Sequence, residues 1–499
     1  MATTLVLPLL FVASVLLLFL SVTRWKKPHQ PPSPPKLPII GNLHHLGSLP
    51  HRSLSVLSDK YGPLMLFHLF RTPALIISSP EMAHQILKTH DLSFVGRPQL
   101  YAGKQLFYGC KDILFSQYGE YWRQIRKTCA LELLSNKKVK SFQAVREEEV
   151  GFMINQVSQS SLTSSAVDLR HMLTELANGI ISMATLGKKF GEDRKEEFFY
   201  IMREYQMLSM AFCMRDYFPL LAWVDILTGL DRRLKRAART MDAFLDRVIK
   251  EYQERKVMDG RDGDDQRDFL DVLLNLQQGY ETGLQMDSDS VRAIIVDMFN
   301  AGTETTATTI EWAMAELVKN PEVMKKAQEE VRRLMGRKGK VEENDLYQMH
   351  YLKCVIKETL RLHPVAPLLT PKESNAAVML QGYFIPPKTR VIVNAWAIGR
   401  DPKSWERPEE FLPERFSNSP VDFKGQDFQF IPFGAGRRAC PGISFAIPTM
   451  ELALASLLYF FDWKMPNGMK QVDLDMSEAG GVIVCLRSPL LLIPVAHFF

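Results

Sequence analysis

The chain predicts a mostly α fold with small peripheral β-sheets, one body carried behind an apolar amino end. Three observations point there. Apolar residues recur at three- and four-residue spacing through the middle of the chain, which is the period of a helix face. β-like runs are short and confined to the early and late parts. The 499 residues are 46% hydrophobic and 23% charged, enough to bury one large continuous core.

Taken in order, Ala2 to Thr23 carry no charge and are rich in Leu, Val and Phe, and Arg24, Trp25, Lys26 and Lys27 follow. A bilayer needs roughly 20 apolar residues, so 1–24 reads as an uncleaved single-pass membrane anchor. The apolar run continues past Ala13 to Leu20, longer than a cleaved signal needs. Basic residues on its carboxyl side alone place the remainder in the cytosol. Residues 25–42 are basic and proline-rich, with Pro28, Pro31, Pro32, Pro34, Pro35 and Pro38 before Gly41-Asn42. Proline fixes φ and removes donors, so this hinge is expected to be a stiff strut between membrane and body.

The body, 43–499, shows no second linker and reads as one domain. Strands are expected at 64–70, 74–77, 376–384 and 390–394, and helices at 118–133, 198–212, 234–255, 290–319, 346–362 and 443–460. The charged, Gly-containing stretch 256–268 reads as a surface loop.

Lys and Arg number 61 against 56 Asp and Glu, a formal charge of +5 without a long basic tract, so nucleic acid is not an expected partner. Six cysteines, at 110, 129, 213, 354, 440 and 485, lie far apart and never form C-x-x-C. Neither a disulfide framework nor a zinc cluster is favoured.

The informative segment is Phe430-Ile-Pro-Phe433-Gly434-Ala-Gly436-Arg437-Arg438-Ala-Cys440-Pro-Gly442, ahead of the helix at 443–460. Two glycines allow a tight turn, arginine supplies a cation, and Cys440 lies beside a helix start whose dipole favours thiolate. A thiolate without other cysteines nearby suits an axial iron ligand better than a four-ligand site. Residues 434–439 also fit G-x-G-x-x-A, a dinucleotide fingerprint, but Pro432 and the polar Gln426, Asp427 and Gln429 oppose the buried strand that reading requires.

Phe433-x-x-Gly436-x-Arg438-x-Cys440-x-Gly442 resembles the haem signature of the cytochrome P-450 monooxygenases. Five fixed positions predict only on the order of 10⁻⁴ chance matches in such a chain. The resemblance covers nearly the whole length and is closest to the plant microsomal, A-type branch. It implies a haem b bound through Cys440, with Phe433 and Gly436 shaping the loop. In 290–319, Ala301-Gly302-Thr303-Glu304-Thr305-Thr306 is poor helix material, and a distortion is expected there. Thr305 and Glu304 resemble the family's acid-alcohol pair that delivers protons, although relatives often carry Asp in place of Glu304. Without the resemblance, those threonines read as core residues bonded to the preceding turn.

Trp122 and Arg126 lie at i and i+4 and match residues that bind a haem propionate, with Arg438 a second candidate. Lys372 stands where relatives often carry Arg. Glu358 and Arg361, three apart, resemble with Arg415 the family's Glu-Arg-Arg cluster, a support for the haem loop. The same spacing at Glu120/Arg123 and Glu329/Arg332 reads as solvated surface pairs. Arg123, Lys127, Lys137, Lys138 and Lys140 form a basic region matching the side that docks a flavoprotein reductase.

The resemblance thus implies an endoplasmic reticulum membrane protein facing the cytosol. It would use O2, and electrons from NADPH through a separate NADPH-cytochrome reductase, to hydroxylate, epoxidise or couple a small apolar specialised metabolite such as a terpenoid, phenylpropanoid, coumarin or alkaloid. Met, Phe and Leu in 100–115, 207–214, 294–301, 365–369 and 480–483 suit an apolar pocket. A haem-binding carrier or sensor without turnover is the alternative.

Overall fold

The computed structural model describes residues 29–189, 192–259, 268–277 and 286–497, so the expected anchor lies outside the described residues. Among the described residues helices dominate, and four small sheets sit at their edges. The largest sheet orders Leu64–Leu69, Thr72–Ile77, Arg390–Val393 and Lys372–Glu373. The first pair is antiparallel with Leu64 opposite Ile77, and Thr72–Ile77 runs parallel to Arg390–Val393. Parallel pairing requires a distant chain segment, which is why the early and late β-like runs meet.

The main core lies among the helices Gln143–Leu162, Leu169–Leu186, Ser288–Gly302, Glu304–Lys319, His350–Leu362 and Ile443–Phe460. Ile443–Phe460 is apolar on every side and long enough to cross a membrane, yet most of it is buried inside the body. A helix hydrophobic all round belongs in such a core.

The helix expected at 234–255 runs from Leu230 to Asp259, so the start of the expected loop at 256 is helical, because the amphipathic period continues through it. Residues 260–267 of that loop lie outside the described residues. The run 376–384 is a hairpin of Val378–Leu380 and Tyr383–Ile385 rather than one strand. Gln381 and Gly382 turn it with φ of 48° and 79°, the left-handed pair that a tight hairpin needs.

From His29 onward the proline stretch is laid against the body instead of standing clear of it. Leu66 N–H donates to the Pro32 carbonyl at 2.8 Å and Phe384 N–H to His29 at 2.9 Å. Asn42 is fully buried, donates to the carbonyls of Pro34 and Pro35 at 3.0 Å, and accepts from His68 N–H at 2.8 Å. A Cβ on Gly41 would lie 2.4 Å from the His68 carbonyl, so only glycine permits the approach.

Candidate active site

The Cys440 loop is shaped by its backbone. Gly434 and Gly436 adopt φ of 69° and 73°, and a Cβ on Gly436 would meet the Leu87 carbonyl at 2.1 Å. Cys440 N–H donates to the Phe433 carbonyl at 2.9 Å, closing the turn, and the helix Ile443–Phe460 starts just beyond. Phe433 packs edge-on against Phe423 at 5.5 Å.

Burial pushes the Cys440 thiol pKa up, while a hydrogen bond from the Gly442 amide and the Arg126 guanidinium act against it. These two groups act with the helix start toward thiolate, against the cost of desolvation. The side chain is nevertheless accessible.

Around the loop gathers a cluster of cations. Arg126 donates to the Ala439 carbonyl. Arg438 stacks over Trp122, 4.2 Å from the ring, and donates to Val95, Ile113 and Ser116 carbonyls at 3.2, 3.3 and 2.7 Å. The Trp122 indole N–H is spent on the Ile113 carbonyl at 2.9 Å, so Trp122 serves this cluster with its ring. Arg97, 4% exposed, donates to Leu114, Thr370 and Pro371. Lys372 is 6% exposed, and its Nζ finds no hydrogen-bond partner, the nearest carboxylate oxygen being Asp91 Oδ1 at 3.9 Å.

Burial, and then mutual repulsion, lowers these pKa values: Arg97 to about 9, Arg438 to about 10 and Lys372 to about 7. The carboxylates at hand are Asp91, which also holds Arg437 at 2.8 Å, and Asp112, whose pKa burial raises to about 7. Two buried cations, Arg97 and Lys372, and two half-buried ones, Arg126 and Arg438, thus lack matching negative charge. Buried charge is retained only when something pairs it. The two propionates of a haem are such a pair, and the single accessible sulfur suits its iron, so the donor set fits this group. Arg97 and Asp91 escaped the sequence reading, because an isolated Arg-Pro and a lone Asp carry no spacing signal.

The oxygen-side helix breaks where expected: Ser288–Gly302 and Glu304–Lys319 are separate segments joined at Thr303, with ψ of −69°. A Cβ on Gly302 would lie 2.6 Å from Ile181 Cδ1, so glycine lets the helix Leu169–Leu186 approach. Thr305 Oγ1 donates to the Ala301 carbonyl at 2.5 Å, the bond to the preceding turn. Its oxygen remains an acceptor. Burial raises the Glu304 pKa, opposed by Arg170 and Arg203.

Behind the loop, Glu358 and Arg361 are completely buried and joined twice, at 2.7 and 2.8 Å. Arg415 reaches the same carboxylate at 2.9 Å. Trp405, beneath the guanidiniums, donates to the Gln429 carbonyl at 3.3 Å and meets Phe430 edge-on, connecting this cluster to the Cys440 loop. Glu120 and Arg123 do form an exposed pair. Arg332 does not pair with Glu329: it binds Asp462 at 2.9 Å and the Phe461 carbonyl at 3.0 Å, tying two elements together.

An accessible lone cysteine in a glycine-shaped loop beside unmatched cations, together with a broken helix, defines a haem-thiolate protein. A profile of the cytochrome P450 family matches residues 31–493. The chain is 56% identical over 459 residues to cytochrome P450 71A1 of Persea americana, covering 92% of this chain and 91% of that one. It is 47% identical to desmethylyatein synthase of Sinopodophyllum hexandrum, covering 98% of each, and 48% identical to norfluorocurarine oxidase of a Strychnos species, covering 93% and 92%. Among solved structures, a zebra fish cytochrome P450 with progesterone superposes with a TM-score of 0.76 at 26% identity, covering 90% of this chain and 99% of that one. The chain belongs to the cytochrome P450 family. It is a monooxygenase that uses haem b, O2, a small-molecule substrate and electrons from NADPH through a reductase, which sets aside the carrier alternative.

Proposed function

We propose that this enzyme is a membrane-anchored haem-thiolate monooxygenase of the endoplasmic reticulum, facing the cytosol, that oxidises a small apolar plant specialised metabolite. The observation that carries the site assignment is the unmatched cation cluster beside the accessible Cys440. In this reading Cys440 is the axial ligand, and Arg97, Arg126, Arg438 and Lys372 hold the propionates. Gly436 lets the loop approach, Phe433 backs it, and the Trp122 ring orients Arg438. When bound, the haem supplies oxygen activation, with the thiolate pushing electron density toward O–O cleavage.

The chain's own part is proton handling. Thr305 keeps its hydroxyl hydrogen on the Ala301 carbonyl and offers its oxygen as an acceptor. Burial biases the Glu304 carboxyl toward holding a proton; as Thr305 Oγ1 takes that proton, its own hydroxyl hydrogen would leave the Ala301 carbonyl and pass into the site, so the alcohol stays neutral and the carboxylate is reprotonated from solvent. The relatives' names, desmethylyatein synthase and norfluorocurarine oxidase, support a specialised-metabolite substrate. An NADPH-cytochrome reductase would dock on the exposed Arg123, Lys127, Lys137 and Lys140, on and beyond the helix that carries Arg126.

Thr305→Ala tests the proton role. NADPH consumption should persist while O2 is diverted to hydrogen peroxide, and an unchanged product-to-NADPH ratio would refute the relay. For Cys440→Ser, the reduced carbon monoxide complex should lose its thiolate-type absorption; retention would mean another ligand.

A further inference from the structure

The helix Glu304–Lys319 carries a second polar group well beyond Thr305. Thr305, Thr309, Trp312 and Glu316 follow one another at i, i+4, i+7 and i+11, a single stripe down one helix face. At the far end of that stripe, Glu316 Oε1 lies 2.6 Å from Nε2 of His363, the residue that closes the helix His350–Leu362. Glu316 Oε2 accepts from the Asn320 side chain at 3.0 Å, so both carboxylate oxygens are engaged. Burial lowers the His363 pKa, with Glu316 pulling the other way, and the ring is therefore neutral at neutral pH. A neutral ring that donates from Nε2 has an acceptor at Nδ1, and Nδ1 finds no partner among the described residues.

Against this imidazole the Trp312 indole lies flat, with 4.0 Å between ring centroids and 5° between planes. Its N–H donates to the Val484 carbonyl at 3.1 Å, and the Val484 amide donates to the Val365 carbonyl at 2.9 Å. Trp312 and Val484 are both buried, so no water stands ready to replace either bond. Val484 directly follows 480–483, and Val365 opens 365–369 two residues past His363. Both stretches are among those that suit the apolar pocket. The contacts close a circuit from His363 through Val365, Val484 and Trp312 back to His363. Glu316 ties the imidazole to the same helix that bears Trp312 and Thr305.

A carboxylate buried beside a neutral imidazole costs desolvation that plain apolar packing would not. What it supplies is direction, because hydrogen bonds and a flat stack fix the orientation of the indole where apolar contact alone would let it turn. We propose that Glu316, His363 and Trp312 are positioning residues: by holding the indole they set the separation of 365–369 from 480–483, and with it how a substrate lies against Thr305. The proposal rests on the reading of Thr305 and those two stretches as the substrate pocket, and adds to it the device that fixes the pocket wall.

The test uses the full chain, haem-loaded, and compares binding of imidazole with binding of 4-phenylimidazole, read by the absorption change of the ferric haem. Only the second ligand carries an extra ring to touch the two stretches. W312F keeps a ring beside His363 and removes the indole N–H, whereas H363Q keeps a donor for Glu316 and removes the stacked plate. In each variant 4-phenylimidazole should bind about fivefold more weakly, the worth of one neutral hydrogen bond, with imidazole binding unchanged. Amide hydrogen exchange over 482–486 should quicken by a similar factor while that of 358–361 stays the same. Both ligands weakened alike, or neither, overturns the proposal, since a merely structural role has no reason to sort them. Unchanged exchange over 482–486 overturns it too. A366F, which adds a ring within 365–369, checks the pocket separately. If it leaves 4-phenylimidazole binding unchanged, the pocket reading falls and the proposal with it; if it weakens binding while W312F and H363Q do not, the proposal falls alone.

Discussion

Two buried charged clusters flank the Cys440 loop, and they are satisfied in opposite ways. In the Glu358 cluster, Glu358 accepts from Arg361, Arg415 and the Leu412 amide, while Arg361 spends its remaining donors on the Gly399, Pro408 and Glu410 carbonyls. Every charge finds its partner inside the chain. In the Lys372 cluster, four cations face one shared aspartate and a second whose burial keeps it partly neutral, and Lys372 Nζ is bare. A cluster closed on itself is scaffold. One left open is built for an anion that the chain does not supply.

The largest expected effect is at the closed cluster. Glu358→Gln leaves two buried guanidiniums without their carboxylate and should cost about 3–5 kcal/mol, read from the urea midpoint. A loss below 1 kcal/mol would make the two clusters alike. Next comes the pH response of Lys372. Its folded pKa is depressed from 10.5 to about 7 by burial and by Arg97. Between those values the unfolded chain holds a proton that the folded chain lacks. The stability of haem-stripped protein should therefore rise as pH goes from 7 to 10.5 and then level off. Bound haem should flatten that rise, because a propionate restores the ammonium charge.

Smaller again, Lys372→Met should speed haem release to an apomyoglobin trap about tenfold, the worth of one charge-assisted hydrogen bond, while leaving the urea midpoint of the stripped protein unchanged or higher. The smallest effect is at Glu120, whose pairing with Arg123 has the same sequence spacing as Glu358 and Arg361. Glu120→Gln should leave the urea midpoint unmoved, since both partners are exposed.

That last contrast shows where sequence reading stops. E-x-x-R occurs at Glu120, Glu329 and Glu358, and spacing is identical in all three. Only the packed structure makes one a surface pair, sends one arginine to Asp462 and buries the third at the centre of a network. The helix Gln143–Leu162 shows the same limit, because its core face carries Arg146, paired with Glu343 at 2.7 Å, and Glu149, which break the apolar period. The expected break near Gly302 was legible, since glycine and β-branched hydroxyl residues disfavour a helix whatever surrounds them.

Local chemistry accounts for what could be read along the chain. The helical character of the body, the glycine-shaped turn before Cys440 and the broken helix at Thr303 all follow from the backbone preferences of adjacent residues. Charge balance does not. That Arg97, Arg438 and Lys372 converge, that they repel one another, and that burial raises the Cys440 thiol pKa are consequences of segments hundreds of residues apart meeting out of water. Desolvation is a property of the assembled interior, and no stretch of sequence carries it alone.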